Sequence, residues 1–182
     1  MRGTEEEEQI MELLNVMLQR RSVRRYTGEP IPEEKLDKII KAGLAAPTSR
    51  DLRPCDFYVV RDKAVLAELA RCKAAGAGLL AGADAAIAVF ADPEKADTWI
   101  EDSSIALAFM HLMATEQGVG SCWVQLHMRK GADGSDAEDN ARRITGAPEG
   151  SRIVGILGLG MPGEVKEPNT EAGLDFSKVH NI

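Results

Sequence analysis

Cysteine and histidine are scarce in this chain of 182 residues, at three each, and both sets are arranged for little. Cys55, Cys72 and Cys122 form no C-x-x-C pair, and an odd, widely spaced set argues for reduced thiols in a cytoplasm. His111, His127 and His180 share no metal-ligand spacing, so no zinc or iron site is expected. No apolar run approaches the roughly 18 to 20 residues of a membrane span, which predicts a soluble protein. The opening MRGTEEEEQIMELLNVMLQR is acidic and amphipathic, without the basic-then-apolar order of a signal peptide. Positive charge is also short: 22 basic against 29 acidic residues give a net charge of -7, which removes bulk attraction to nucleic acid or anionic membrane. Any anion site has to be local.

What is present is globular. Hydrophobic residues make up 44% and charged residues 28%, enough for one domain over 1–182 to bury a core without staples. Thr4 to Glu7 reads as a capping box, and Ile10, Leu13, Leu14, Met17 and Leu18 then repeat at helical spacing, predicting a helix over about 5–20. A second helix follows in IPEEKLDKIIKAGLAAP, with Leu36, Ile39, Ile40 and Leu44 on one face and Pro47 as its stop. DFYVVR (56–61) is a short strand, AVLAELARC a helix, and AAIAVFA (85–91) a buried strand. The stretch 103–115 is apolar on nearly every side, so its helix is central or lies in a subunit interface. SCWVQL reads as a strand, SDAEDNARRIT as a helix, RIVGILGLG as the last strand, and 161–182 as a polar arm. Strands and helices mix without a βαβ rhythm or an internal repeat. The fold class is α+β, with a mostly antiparallel sheet of about four to five strands covered by helices.

Two glycine stretches resemble a dinucleotide fingerprint and fail on context. GLGMPG (158–163) contains Pro162 and has Pro168 soon after, which forbids a good helix behind Gly160, and GAGLLA (76–81) lies between a helix and a strand, the wrong order. Cys122 with Trp123 and His127 lacks the third group and oxyanion device of a nucleophilic site, so a buried structural thiol is the better reading. RRSVRRY (20–26) sets four arginines around Ser22 at the end of the first helix. Cations there complement the helix dipole, and guanidinium forks beside a hydroxyl also suit a phosphate. By itself this knot does not choose between them. One helix later comes the loop and strand APTSRDLRPCDFYVV (46–60).

The combination resembles the nitroreductase family of FMN-dependent oxidoreductases. The family's Arg-Arg-Ser-x-Arg-like motif is matched by Arg20, Arg21, Ser22, Val23 and Arg24, and its Ala-Pro-Ser-Ser-x-Asn-x-Gln-Pro-Trp-like loop by 46–55. A long apolar helix, a Gly-Leu-Gly-Ser-like turn into SCWVQL, and a strand ending in GLGMPG complete the order, from about 11 to 166. The resemblance implies an interlocked homodimer with two FMN sites, each built from both subunits. Arg20, Arg21 and Ser22 would hold the phosphate and ribityl end, and Arg24 would lie near the pyrimidine edge and stabilise the reduced ring. Pro47, Thr48 and Ser49 would line the flavin from the other subunit. Cys122, Trp123, Val124 and Gln125 would pass its ring, and Gly158 and Gly160 would let backbone approach the cofactor or a packed helix.

Asp51 stands where the family has asparagine and Arg53 where it has glutamine, so these two cofactor-facing positions change character and can pair with each other. Cys55 replaces a tryptophan, and the tail lacks an arginine that relatives place near the phosphate, with Lys166 or Lys178 as substitutes. The implied activity is hydride transfer from NADH or NADPH to a small electrophilic acceptor, a nitroaromatic, quinone or activated alkene, by a ping-pong route without metal or protein nucleophile. A flavin-binding sensor or store is the alternative from another class, and a cofactor-free interaction module the third.

Overall fold

The structure, a computed structural model, describes residues 12–182. Its helices are α1 (Leu13–Gln19), α2 (Glu33–Leu44), α3 (Lys63–Leu69), α4 (Trp99–Glu116) and α5 (Ala137–Thr145). Its strands are β1 (Cys55–Val60), β2 (Ala85–Ala91), β3 (Gly120–Gln125) and β4 (Arg152–Gly160). The capping box at Thr4 to Glu7 and the first turns of the predicted opening helix lie outside the described residues.

The four strands form one sheet in the order β1-β2-β4-β3, antiparallel throughout. Side chains alternate across it. Ala85, Ile87 and Val89 of β2 face a layer made by α2 and α4, while Ala86, Ala88 and Phe90 face a layer that includes α3 and α5. Coverage on both faces explains why every residue of β2 is buried, and why it reads as a continuous apolar run rather than an alternation. Caps close the shorter helices: Asp62 accepts from Ala64 N and Val65 N at 2.8 and 3.0 Å, and Asp136 accepts from Glu138 N at 2.9 Å.

Leu44 departs from expectation. It is 61% exposed, because the seam of α2 runs through Leu36, Ile39 and Gly43 and leaves Leu44 on the rim. Gly43 is needed there, since a Cβ would lie 2.8 Å from Met110 Sδ and 2.9 Å from the Phe57 ring.

α4 is central, as its all-round apolarity predicts, and it starts four residues earlier than 103, at Trp99. It is not fully covered: Phe109 is exposed beside Leu13 and Met17 of α1, in a groove of about 310 Å³ that Ala42 of α2 also lines. Beyond β4 the arm runs outward, exposed from Val165 to the end. Among the described residues no helix is long and apolar enough to cross a membrane.

Candidate functional site

The arginine knot is an extended segment laid across the ends of β3 and β4. Ser22 pairs with Ser121 in a parallel bridge, and Tyr26 pairs with Pro162 in an antiparallel one. Val23 N donates to the Ser121 carbonyl and Thr27 N to the Met161 carbonyl, both at 2.9 Å. Glu164 ties the outer side: its Oε1 accepts from Arg24 N at 2.7 Å and Arg25 N at 3.3 Å, and its Oε2 pairs with Arg25 Nε at 3.3 Å and Lys166 Nζ at 3.1 Å. The Arg24 amide, then the Lys166 ammonium, hold this carboxyl down at about 2. Lys166 is therefore committed to Glu164, and Lys178 pairs with Asp175 at 3.6 Å.

The guanidinium ends are less occupied than the backbone. Arg20 Nη1 lies 3.1 Å from His111 Nε2, Arg21 Nη1 donates to the Glu167 carbonyl, and Arg24 Nη1 reaches the Ser22 carbonyl at 3.4 Å. No carboxylate is paired with Arg20, Arg21 or Arg24 among the described residues. Several donors of one sign, unneutralised and close in sequence, suit an anion with many acceptor oxygens.

Behind the knot, Tyr26 packs on the end of β4. A Cβ on Gly160 would lie 2.6 Å from its ring, so that position must be glycine for protein packing, while one on Gly158 would lie 2.7 Å from the end of the Leu79 side chain, which would have to shift. Tyr26 Oη is the buried side-chain polar atom left without a partner among the described residues, and burial, then Cys122, pushes its phenol well above the usual range.

The strand β3 splits the next set of candidates. Trp123 and Gln125 lie on one face, joined by a 2.9 Å bond from Trp123 Nε1 to Gln125 Oε1. Cys122 and Val124 alternate to the other face and are 2% and 1% exposed, so only their backbone is left to address a ligand on the Trp123 side. His127 is no base for Cys122. Its Nδ1 lies 2.8 Å from Glu138 Oε1, and Arg152 grips the same carboxylate at 2.9 and 3.0 Å. Burial alone would raise the Glu138 pKa, but the bonds from Arg152 and His127 hold it below the usual value. This is a structural ion pair under α5.

The loop after α2 has a different character. Ser49–Asp51 form a single 3₁₀ turn, and three residues that are not glycine take left-handed backbone: Arg50 (φ 53°), Asp51 (φ 54°) and Arg53 (φ 47°). Side chains impose it. Asp102 Oδ1 accepts from Ser49 N at 2.9 Å while its Oδ2 accepts from Thr98 Oγ1 at 3.2 Å; Thr48 Oγ1 accepts from Arg53 N at 3.0 Å; and Asp51 pairs with Arg53 at 2.8 Å. Beneath it lies a cavity of about 150 Å³ lined in part by Thr48, Arg53, Cys55 and Asp102.

One copy of the chain keeps these two regions apart. The knot lies against β3, and the loop feeds β1, at opposite edges of the sheet, three strand spacings or roughly 14 Å from each other. Their anchors on α4, His111 and Asp102, are nine residues apart, about 13 Å along the axis. Asp102 and Glu164 escaped the reading of the sequence. Asp102 lies beside Glu101 in the polar first turn of α4, and nothing local marks either it or Glu164.

This order of elements is matched in known proteins. The profile of the family described as "Nitroreductase family" matches residues 17–77 and 69–161. The chain belongs to the nitroreductase family. An Archaeoglobus fulgidus protein named as an NADH dehydrogenase/NAD(P)H nitroreductase is 32% identical over 160 residues, covering 86% of this chain and 88% of that protein. The solved structure of an FMN-dependent nitroreductase from Clostridium difficile R20291 is 40% identical and superposes with a TM-score of 0.90 over 92% of this chain and 98% of that one. A nitroreductase from Desulfovibrio desulfuricans, solved in complex with FMN, shares the fold at 24% identity and a TM-score of 0.72, over 94% of this chain and 99% of that one. The nitroreductase fold is thus the frame in which the knot, the loop and β3 are to be read.

Proposed function

We propose that this chain is an FMN-dependent oxidoreductase that takes hydride from NADH or NADPH and reduces a small electrophilic acceptor, a nitroaromatic, quinone or activated alkene, by a ping-pong route. The observation that carries the reading is the set of uncommitted guanidinium donors on Arg20, Arg21 and Arg24, in a chain 40% identical to a nitroreductase named as FMN-dependent. That donor set fits FMN: a phosphate dianion needs several N–H donors of one sign, and Ser22 adds a hydroxyl.

When bound, FMN supplies a ring that accepts hydride and releases it to a second substrate. The chain's own residues hold and tune it. Arg20, Arg21 and Ser22 would hold the phosphate and ribityl end, and Arg24 would supply a fixed cation to the pyrimidine edge. The backbone of Cys122 to Gln125 would line the ring, with Trp123 and Gln125 presenting side chains. Pro47, Thr48, Ser49, Asp51 and Arg53 complete the site from a second copy.

The homodimer is part of the proposal. The separation of knot and loop supports it, because a two-fold partner returns the loop of one copy to the knot of the other. So does the exposed apolar groove of Leu13, Met17 and Phe109, which a second copy would cover. Cys55, Cys72 and Cys122, all unpaired, suit a reducing cytoplasm.

A visible spectrum tests the core of this. The purified protein is expected to be yellow or to become so with added FMN, and NADH or NADPH should bleach it without oxygen. Protein that takes up no FMN would sink the site, and yellow protein that neither nucleotide bleaches would be a flavin store or sensor.

A further inference from the structure

His111 sits on the central helix α4, 6% exposed, among the apolar residues Leu107, Met110 and Ala114. Both ring nitrogens are engaged: Nε2 lies 3.1 Å from Arg20 Nη1, and Nδ1 lies 2.6 Å from Ser121 Oγ. A guanidinium can only donate, so Nε2 must be the bare, accepting nitrogen. The ring's single proton is then on Nδ1 and is donated to Ser121 Oγ.

We infer that His111, as the neutral Nδ1–H tautomer, is a positioning residue that aims the Arg20 guanidinium at an anionic phosphate. The inference rests on reading the knot as a phosphate grip. One donor of Arg20 is spent on the ring, which fixes the plane of the fork while its other N–H groups stay free for oxygen acceptors. Ser121 couples ring and knot, because its hydroxyl meets His111 while its carbonyl accepts from Val23 N at 2.9 Å. A carboxylate in place of His111 would also hold Arg20, but it would neutralise the cation. A neutral acceptor directs the charge without cancelling it.

The surroundings keep the ring neutral. Burial, then the Arg20 cation, push its pKa down to about 4. Arg20, at the end of α1, is the charged group acting on it; β3 presents the uncharged Ser121, and Thr115 on α4 bonds the His111 carbonyl rather than the ring. No carboxylate among the described residues acts to hold a proton there.

The test titrates the apoprotein with FMN and with riboflavin, which lacks the phosphate. His111→Leu is expected to weaken FMN about tenfold and leave riboflavin unchanged, and His111→Gln, whose amide oxygen can accept from Arg20, should recover most of the loss. In an Arg20→Ala background, His111→Leu should cost nothing more. Equal losses for both flavins would make the imidazole a packing residue, and unchanged FMN affinity would overturn the inference outright. The reading of the knot fails separately, if Arg20→Ala leaves the preference of FMN over riboflavin intact. Ring ¹⁵N shifts of the wild-type apoprotein at pH 7 give a check that needs no flavin: a protonated Nδ1 and bare Nε2 are expected, and the opposite tautomer would overturn the role.

Discussion

The knot and the loop, both polar and both hung from α4, are built in opposite ways. The knot (20–26) has relaxed backbone, paired at intervals with β3 and β4, and leaves its cationic side chains largely unspent. The loop (46–54) has backbone in a sparsely populated region at three residues, spends Thr48 and the Asp51–Arg53 pair internally, and hangs its Ser49 amide on Asp102 of α4. Left-handed backbone costs roughly 1–2 kcal/mol at each residue that is not glycine or asparagine-like, and it persists only where surrounding bonds over-determine it. The contrast fits a division of labour: the knot offers charge, the loop offers shape.

The comparison breaks most visibly if the two regions do not belong to one site. Arg20→Ala should lose the phosphate grip, and Ser49→Trp should fill the space where the loop lines the flavin. Each homodimer alone should retain little FMN. Mixed by unfolding and reassociation at equal amounts, they should regain about a quarter of the sites, because half the dimers are mixed and each has one intact site. Retention of FMN by Ser49→Trp alone would assign knot and loop to independent functions, and absence of any regain on mixing would contradict a site shared between two copies.

A smaller effect separates the supports. Asp102→Ala leaves Ser49 N without its acceptor and should lower unfolding free energy by about 2 kcal/mol in urea titrations. FMN binding should weaken while the preference of FMN over riboflavin, a property of the knot, stays unchanged. A lost preference would mean that the two anchors act as one.

Glycine gives the smallest and sharpest contrast. Arg50→Gly relieves a φ of 53° at the expense of an exposed ion pair with Asp97, for a net gain of about 0.5 kcal/mol. Arg24→Gly, at a residue without left-handed backbone, should instead cost about 0.5–1 kcal/mol. Thermal denaturation of both variants reads the signs, and equal signs would contradict the assignment of strain to the loop.

The legible parts of the fold were those decided locally. β2 and β4 match AAIAVFA and RIVGILGLG to the residue, because burial on both faces forces uninterrupted apolar runs. α4 was placed late, since its first turn carries Glu101 and Asp102 and looks like a polar connection until the buried Trp99 is seen. Leu44 fits a helical stripe by spacing, and the glycine beside it took the seam instead. Charge and motif order marked the knot and the loop, but not what holds them. The bond from Arg20 to His111 spans 91 residues, and no pattern in either segment names the other. Alternation along β3 shows that Cys122 and Trp123 part company, yet which face meets α4 depends on the tertiary packing.

α4 also works as a gauge of rotation. Nine residues at about 100° each make two and a half turns, so Asp102 and His111 point to opposite sides of the same helix, one toward the loop and one toward the knot. One residue added between them would swing an anchor about 100° around the axis and uncouple it from its half. The length of the segment 103–110 is therefore held as firmly as its buried side chains Leu107 and Met110.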